Sequence, residues 1–455
     1  MGWLAASLIA AGAAGWGAWR LWRIAAVGAA YKAKVLCSAA FVSGLEPDPA
    51  SADEVSSEAY RILRLFRARV DRDAKTVTSS LFGLRPRTAV FRPGLGATLA
   101  LGAVSLARAA AGPPLPSDPA REWPEGEGGA PAREREALRR VVDEAFAERD
   151  IRRLRRTRAV VVARDGRLVA ERYAPGISRE TPLPGWSMAK SVIGALVGAA
   201  VGLRRLSLEQ AALLPCWRGA GDARARISLE DLLRMRSGLR WTESYSDPLS
   251  DVVRMLFAEA DAAGFAAGKP LAEPPGTAWR YSSGTTNILS AVLREALGEG
   301  EYRDFPRRAL FDPVGMGSAT LEPDASGTFV GSSFMLATAR DWARFGLLQL
   351  RDGVWDGRRL LPEGWVAFAT RPTPQAPDGR FGAHWWLRCP EELGGSTPAA
   401  ARLPRDAYYA LGHEGQVLTV IPSRRLVVVR LGLTIDIRAW DHAAFLAALL
   451  AALED

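Results

Sequence analysis

Strand-like runs stand at both ends of the regular part of this chain, and that placement narrows the folds open to it more than any other feature. RAVVVAR and RLVAERY flank Asp165-Gly166, a dipeptide suited to a two-residue hairpin turn. Far downstream, YYALGH, QVLTVIP and RLVVVRLG follow one another, with Pro422-Ser423 in the last turn. Strands at both ends with helical periodicity between them predict one antiparallel sheet built from both ends and flanked by helices, plus an all-helical region. The expected class is α/β, in the α+β sense. Ala137 to Arg149 reads as a helix before the first strand, another helix opens at about Ser187, and Trp440 to Leu453 reads as a closing amphipathic helix.

Residues 2–19, GWLAASLIAAGAAGWGAW, carry no charge and approach the minimum for a membrane-spanning helix. No basic segment precedes them and no convincing cleavage site follows, so an uncleaved N-terminal transmembrane anchor is expected, with a buried or surface-lying helix as the alternative. Arg20, Arg23, Lys32 and Lys34 follow the segment, which favours a cytoplasmic flank; family analogy, below, favours an extracytoplasmic one. The expected organisation is an anchor over 1–30, a small region over 31–111, a linker over 112–132 rich in Pro, Gly and acid, and a main domain over 133–455. Within the small region, Glu54 to Val70 reads as a helix, and TVTSSLFGL and RTAVFRPGLGATL read as strands. The apolar stretch from Leu95 to Ala111 reads as packed protein, not a second span.

Composition removes several functional classes. The 59 Lys+Arg against 50 Asp+Glu leave a net charge of +9, but lysine occurs only at 32, 34, 75, 190 and 269. Such a skew toward arginine reflects base composition, so no nucleic-acid partner is inferred, and the basic run IRRLRRTR (Ile151 to Arg158) is expected as a solvated helix end. Three widely spaced cysteines exclude a disulfide framework, and the three histidines never fall at HxxxH spacing, so no metal or other cofactor is expected. GFAAGKP, ending at Pro270, imitates a phosphate loop with one residue too few and Pro for Ser/Thr, so no nucleotide site is implied.

The sharpest chemical signal is GWSMAKS. Ser187 and Lys190, at i and i+3, share one face of a helix, and Ser187 lies at its positive end. A serine hydroxyl needs a base, and a buried lysine amine can be one, whereas arginine cannot. WRYSSGTTN then brings Tyr281 and Ser283, and LGHEGQVLTVIP brings His413, Glu414 and Gly415 into a late strand.

This order of elements resembles the serine β-lactamase/penicillin-binding-protein superfamily, in its class C-like branch. ISLEDLLRMRSGLRWTESY, PGTAWRYSSGTTNILSAVL and FGAHWWL look like that family's connecting sequence, and the resemblance runs over about 135–450. Within it the chain is most similar to 6-aminohexanoate-dimer hydrolases and related esterases. The resemblance implies a β-lactamase/transpeptidase-like fold and hydrolysis of an amide or ester through an acyl-enzyme. Ser187 would be the nucleophile, Lys190 the base and Tyr281 the proton relay. The backbone N–H groups of Ser187 and Gln416 would form the oxyanion hole. Tyr245, Ser283, His413, Gly415 and Trp386 would face the substrate, a small ester, amide or peptide-like molecule.

Two departures bear on the substrate. Ser283 stands where the family has the Asn of Tyr-x-Asn, and His413 where it has the lysine of KTG. Neutral imidazole gives no fixed positive charge for a β-lactam carboxylate, so an ester or short linear amide is expected over penicillin. The alternatives are a D,D-carboxypeptidase or β-lactamase, and a non-catalytic envelope protein that binds through the same pocket. Trp385 and Trp386 face opposite ways if they lie on a strand, and Trp386 is favoured for the pocket. Glu414 is expected at the surface or behind the site, and His384 and His442 are expected to be structural. The family analogy implies a single-pass membrane protein with its catalytic domain outside the cytoplasm; oligomeric state stays open.

Overall fold

The computed structural model describes residues 2–48, 51–102, 120–128 and 135–454, with side chains from Gly12 onward. Its first element, α1 (Gly2–Phe41), is one unbroken helix in two different surroundings. From Gly12 to Trp22 most side chains face outward; from Ala25 to Ala40 most are buried. The buried half lies on an antiparallel meander of β1 (Phe66–Asp71), β2 (Thr76–Leu81), β3 (Leu84–Arg92) and β4 (Gly96–Leu99). Ala30, Ala33, Leu36 and Cys37 share a core with Val77, Ala89 and Ala97, where small side chains let helix and sheet approach closely. The helix is long and apolar enough to cross a membrane, a property that spans, signal sequences and core helices share.

Lys32 and Lys34, expected as the basic flank of a span, are instead interior. Lys32 Nζ donates to the carbonyls of Leu63 (3.0 Å) and Phe66 (2.8 Å). Lys34 pairs with Glu322 of the main domain, which also accepts from Ser38 Oγ (3.0 Å) and the Ala97 N–H (2.7 Å). The long helix expected over Glu54 to Val70 is correspondingly broken. A turn of helix at Asp53–Ser56 gives way to extended Ser57, a 3-10 segment at Glu58–Leu65 and then β1. Carbonyls that a continuing helix would use for its own N–H groups go to Lys32, so a tertiary partner overrides the local periodicity.

Most of the stretch over 112–132 lies outside the described residues, but 120–128 is packed. Buried Arg344 donates to the carbonyls of Pro124 (2.9 Å) and Gly126 (2.6 Å), and Glu125 and Glu127 pair with Arg351 and Arg340. The acid that reads as solvated linker therefore neutralises arginines of the main domain.

The main domain starts with α2 (Glu136–Glu144) and the hairpin β5 (Thr157–Arg164) and β6 (Arg167–Tyr173). Asp165 and Gly166 take φ 55° and 78°, as the two-residue turn requires. The run IRRLRRTR is not a helix end, and it is solvent-exposed only over Ile151 to Arg153. It leads into β5, and Arg155 pairs with Glu144, Arg156 with Asp53 and Glu58, and Arg158 with Glu54. Most of those acids lie about a hundred residues upstream, beyond the reach of any local pattern.

The helical middle contains α3 (Ala189–Gly202) and α4 (Ser283–Leu297); α5 (Ala339–Leu350) returns to the sheet. Then β7 (Tyr408–Gly412), β8 (Gln416–Ile421), β9 (Leu426–Gly432) and α6 (His442–Glu454) complete the fold. The sheet runs β7-β8-β9-β5-β6, antiparallel throughout, with Val428 opposite Val162 where the two ends of the chain join. Val161, Ala163, Val427 and Val429 pack toward α3 and α5; Val160, Val162 and Val428 pack toward α2 and α6. Both faces are covered, so these strands are almost continuously apolar instead of alternating.

Candidate active site

Ser187 lies in the single turn Trp186–Met188 that leads into α3, and Lys190 follows one turn later on the same face. Ser187 is half-buried, whereas Lys190 is only 2 % exposed. The Lys190 Nζ is 2.8 Å from Ser187 Oγ, 2.9 Å from the Ser332 carbonyl and 3.0 Å from Ser283 Oγ. Burial lowers its pKa from 10.5 to about 8, with the Glu243 carboxylate pulling the other way. An amine in this state is unprotonated in a useful fraction of molecules near neutral pH and touches a hydroxyl.

Tyr281 stands just before α4. Its hydroxyl interacts with the Ser187 side chain and the Trp386 indole, and its ring centre is 5.1 Å from Lys190 Nζ. Burial first, and the negative charge of Glu243 second, raise its pKa and keep the phenol protonated. It can therefore donate and pass on a proton but cannot serve as the resting base. Trp386 packs on Tyr281 with ring centres 5.4 Å apart, while Trp385 turns into the core against Phe345 and Tyr408.

Ser283, expected against the substrate, is fully buried, and its hydroxyl is bonded on both sides. It takes a hydrogen bond from Lys190 and donates to Glu243 Oε1 at 2.5 Å. Glu243 is the residue that sequence reasoning missed. It also accepts from the Ser283 N–H (2.9 Å), Trp241 Nε1 (2.5 Å) and the Tyr245 hydroxyl (3.2 Å). The signal was within reach, because Glu243 lies two residues before Tyr245 in TESY. Ser332, whose carbonyl completes the grip on Lys190, lies in VGSSFMLATARDW, a stretch similar to the family's in which no single residue stood out.

The opposite wall comes from the turn between β7 and β8. A Cβ at Gly412 would lie 2.2 Å from the Gly185 carbonyl, so glycine is what lets β7 close on the segment carrying Ser187. Gly415 has φ 78°, and a Cβ there would meet Arg430 Nη1 at 2.5 Å. The Gln416 side chain locks the turn, donating to the carbonyls of His413 (3.1 Å) and Gly432 (2.7 Å). His413 stacks on Tyr245, ring centres 5.1 Å apart, and Tyr245 is 40 % exposed. Glu414 is buried behind them, accepting from Trp186 Nε1 (3.2 Å) and the Tyr60 hydroxyl (2.8 Å).

The remaining histidines are core residues. His384 bonds the Leu233 carbonyl (2.7 Å) and Thr286 Oγ1 (2.9 Å), and burial lowers its pKa to about 4. His442 bonds Thr419 Oγ1 (2.9 Å) and is lowered to about 3, again by burial. A separate cavity of about 50 Å³ touches Trp186, Ser333 and Glu322 but none of Ser187, Lys190 and Tyr281.

An antiparallel sheet joined from both ends of the main domain, covered by helices and carrying a serine with a buried lysine at its edge, defines a serine hydrolase scaffold. The chain belongs to the β-lactamase family, whose model matches residues 142–432. It is 26 % identical over 298 residues to 6-aminohexanoate-dimer hydrolase of Paenarthrobacter ureafaciens, covering 60 % of this chain and 72 % of that protein. Among solved structures, EstCE1, a hydrolase with promiscuous acyltransferase activity, superposes with TM-score 0.54 at 17 % identity, over 70 % of this chain and 98 % of that one. A family VIII carboxylesterase superposes with TM-score 0.54 at 16 % identity, over 72 % and 98 %. At such identities the likeness is one of fold.

Proposed function

We propose that this chain cleaves an ester or short linear amide through an acyl-enzyme on Ser187. The Ser187 hydroxyl proton passes to unprotonated Lys190 as Oγ attacks the carbonyl carbon. The N–H groups of Ser187 and Gln416 receive the developing oxyanion. Tyr281 gives its proton to the leaving alcohol or amine and is reprotonated from Lys190, so the proton count closes. Water then attacks the acyl carbon with the same groups acting in reverse. The observation carrying this reading is the 2.8 Å contact between Lys190 Nζ and Ser187 Oγ, in surroundings that bring the amine to about pKa 8. Tyr245, His413 and Trp386 line the mouth and Gly415 shapes the turn, while Ser283 supports Lys190 from behind.

An ester or linear amide is favoured over a β-lactam because His413 offers no fixed cation and is already engaged by Tyr60 and Tyr245. Purified protein tested on p-nitrophenyl esters, linear amides and a fluorescent penicillin should turn over the esters or amides and form no stable penicilloyl adduct. A stable adduct would favour the carboxypeptidase or β-lactamase alternative, and no turnover of any substrate would favour a binding protein.

Glu243→Gln is expected to lower kcat/KM by about 10- to 100-fold, because an amide N–H₂ would then face donors that now find a carboxylate. The sign of a second effect follows from charge. Glu243 holds the Lys190 pKa up, so its neutralisation should move the acid limb of the pH–kcat/KM profile to lower pH. An unmoved limb would remove Glu243 from the electrostatics of the site.

The outward half of α1 is proposed to enter a membrane as a single pass, with the catalytic domain outside the cytoplasm. Trp16, Trp19 and Trp22 are exposed, and Arg20, Arg23 and Arg85 stack on them at 4.9, 4.9 and 4.8 Å, the aromatic and basic pairing of a headgroup layer. Lys32 and Lys34, occupied in the folded domain, weaken the argument for a cytoplasmic flank. A C-terminal alkaline phosphatase fusion should be active, and an inactive one beside a bright green fluorescent protein fusion would reverse the topology.

A further inference from the structure

Residues 31–102 lie outside the family match, yet one of their side chains reaches the site. Tyr60 belongs to the 3-10 segment Glu58–Leu65, and its surroundings fix it from two directions. Arg156 clamps the segment to the start of β5, reaching Glu58 at 2.6 Å and Asp53 at 3.1 Å, while Arg158 pairs with Glu54. The Tyr60 ring stacks on Tyr31 of α1, centres 5.2 Å apart and planes 27° apart. The hydroxyl so placed lies 2.9 Å from His413 Nε2 and donates to Glu414 Oε1 at 2.8 Å.

A phenol has one proton to give. With that proton on the Glu414 carboxylate, the phenol oxygen can only accept from His413, so Nε2 carries an imidazole hydrogen and, in the neutral ring, Nδ1 keeps its lone pair. Among the described residues Nδ1 has no hydrogen-bond partner, and the His413 side chain is 33 % exposed beside Tyr245. Glu414 is tied in turn to Trp186, the residue before Ser187.

We propose that Tyr60 is a positioning residue of the active site, holding His413 as the Nε2–H tautomer so that Nδ1 accepts a hydrogen bond from an N–H or O–H group of the substrate. The proposal rests on the hydrolase reading above and refines its substrate class. A lysine at this place would select an anionic group; a neutral acceptor selects an acyl compound bearing a hydroxyl or amide hydrogen. The N-terminal region then acts as one wall of the catalytic site as well as a support for the helix.

The test uses the full chain in detergent micelles with ¹⁵N-labelled histidine. The chain has three histidines, and His413→Asn assigns the relevant signal. At about pH 8, above the ordinary imidazole range, wild-type His413 should show the Nε2–H form and Tyr60→Phe a mixture of tautomers. Kinetics should compare p-nitrophenyl butyrate with its 3-hydroxy analogue. Tyr60→Phe should raise KM for the hydroxylated ester about tenfold relative to the plain one and change kcat less than about threefold, the scale of one hydrogen bond. A wild-type Nδ1–H form, or a Tyr60→Phe variant with unchanged tautomer and unchanged KM ratio, would overturn the proposal. The wild-type spectrum decides the tautomer even if Tyr60→Phe does not fold. It also needs no turnover, so loss of the hydrolase reading would be seen separately, as turnover that survives Ser187→Ala.

Discussion

Ser187→Ala is expected to abolish labelling by a fluorophosphonate probe and to lower kcat/KM by about ten-thousandfold or more, the scale seen when a serine nucleophile is removed from a group that acts as a unit. The expectation is specific to this position. Ser191, one turn along α3, is buried and donates its hydroxyl to the His384 carbonyl at 2.7 Å. Ser283 is enclosed between Lys190 and Glu243, and Ser332 contributes its carbonyl to Lys190 while its own hydroxyl meets Ser333 at 2.9 Å. None of the three combines exposure with contact to the amine, so none can replace the lost hydroxyl. The substitution should also leave the fold intact, because Lys190 keeps two of its three partners. Undiminished labelling of a folded Ser187→Ala protein would defeat the assignment of the nucleophile.

What could be read from the sequence, and what could not, follows the range over which each interaction acts. The strands of the central sheet were legible because both faces are covered and their residues are apolar almost without break, and because Asp165-Gly166 can make only a few turns. Ser187 and Lys190 were legible because helix geometry puts i and i+3 on one face. Ser283 was found as a position, but its direction was not, since only the folded chain shows the hydroxyl turned inward to Glu243. Tyr60 left no mark at all. Its partners are about 350 residues away, and a tyrosine in a basic, helix-like stretch looks like any other. In α1 the signal itself was ambiguous. Alanine, leucine and glycine suit a bilayer and a close helix–sheet contact equally, and only the burial of Lys32 and Lys34 separates the two halves.

The wild-type kcat/KM should rise with pH through about 8, and Lys190→Met should lower it by about a thousandfold, the middle of the range for loss of a positioned base. Lys190 works only when unprotonated, so activity follows the free amine, and burial has moved that titration down from 10.5 into the working range. Arginine cannot substitute, since its guanidinium does not release a proton. The same shift has a consequence for stability that turnover assays do not read. Between pH 8 and 10.5 the unfolded chain holds this proton and the folded chain does not, so folding stability contributed by Lys190 rises with pH across that window. Relative to Lys190→Met, the wild type should therefore gain on the order of 3 kcal/mol on going from below pH 8 to above pH 10.5, measured by denaturant unfolding at a series of pH values. The two measurements test one titration by independent routes. A kinetic limb near 8 without the stability change would assign the limb to another group. A stability change without the limb would leave Lys190 buried and depressed but outside the rate-determining proton transfer. Agreement of both makes the buried amine the base, and explains why a chain that writes arginine almost everywhere has a lysine here.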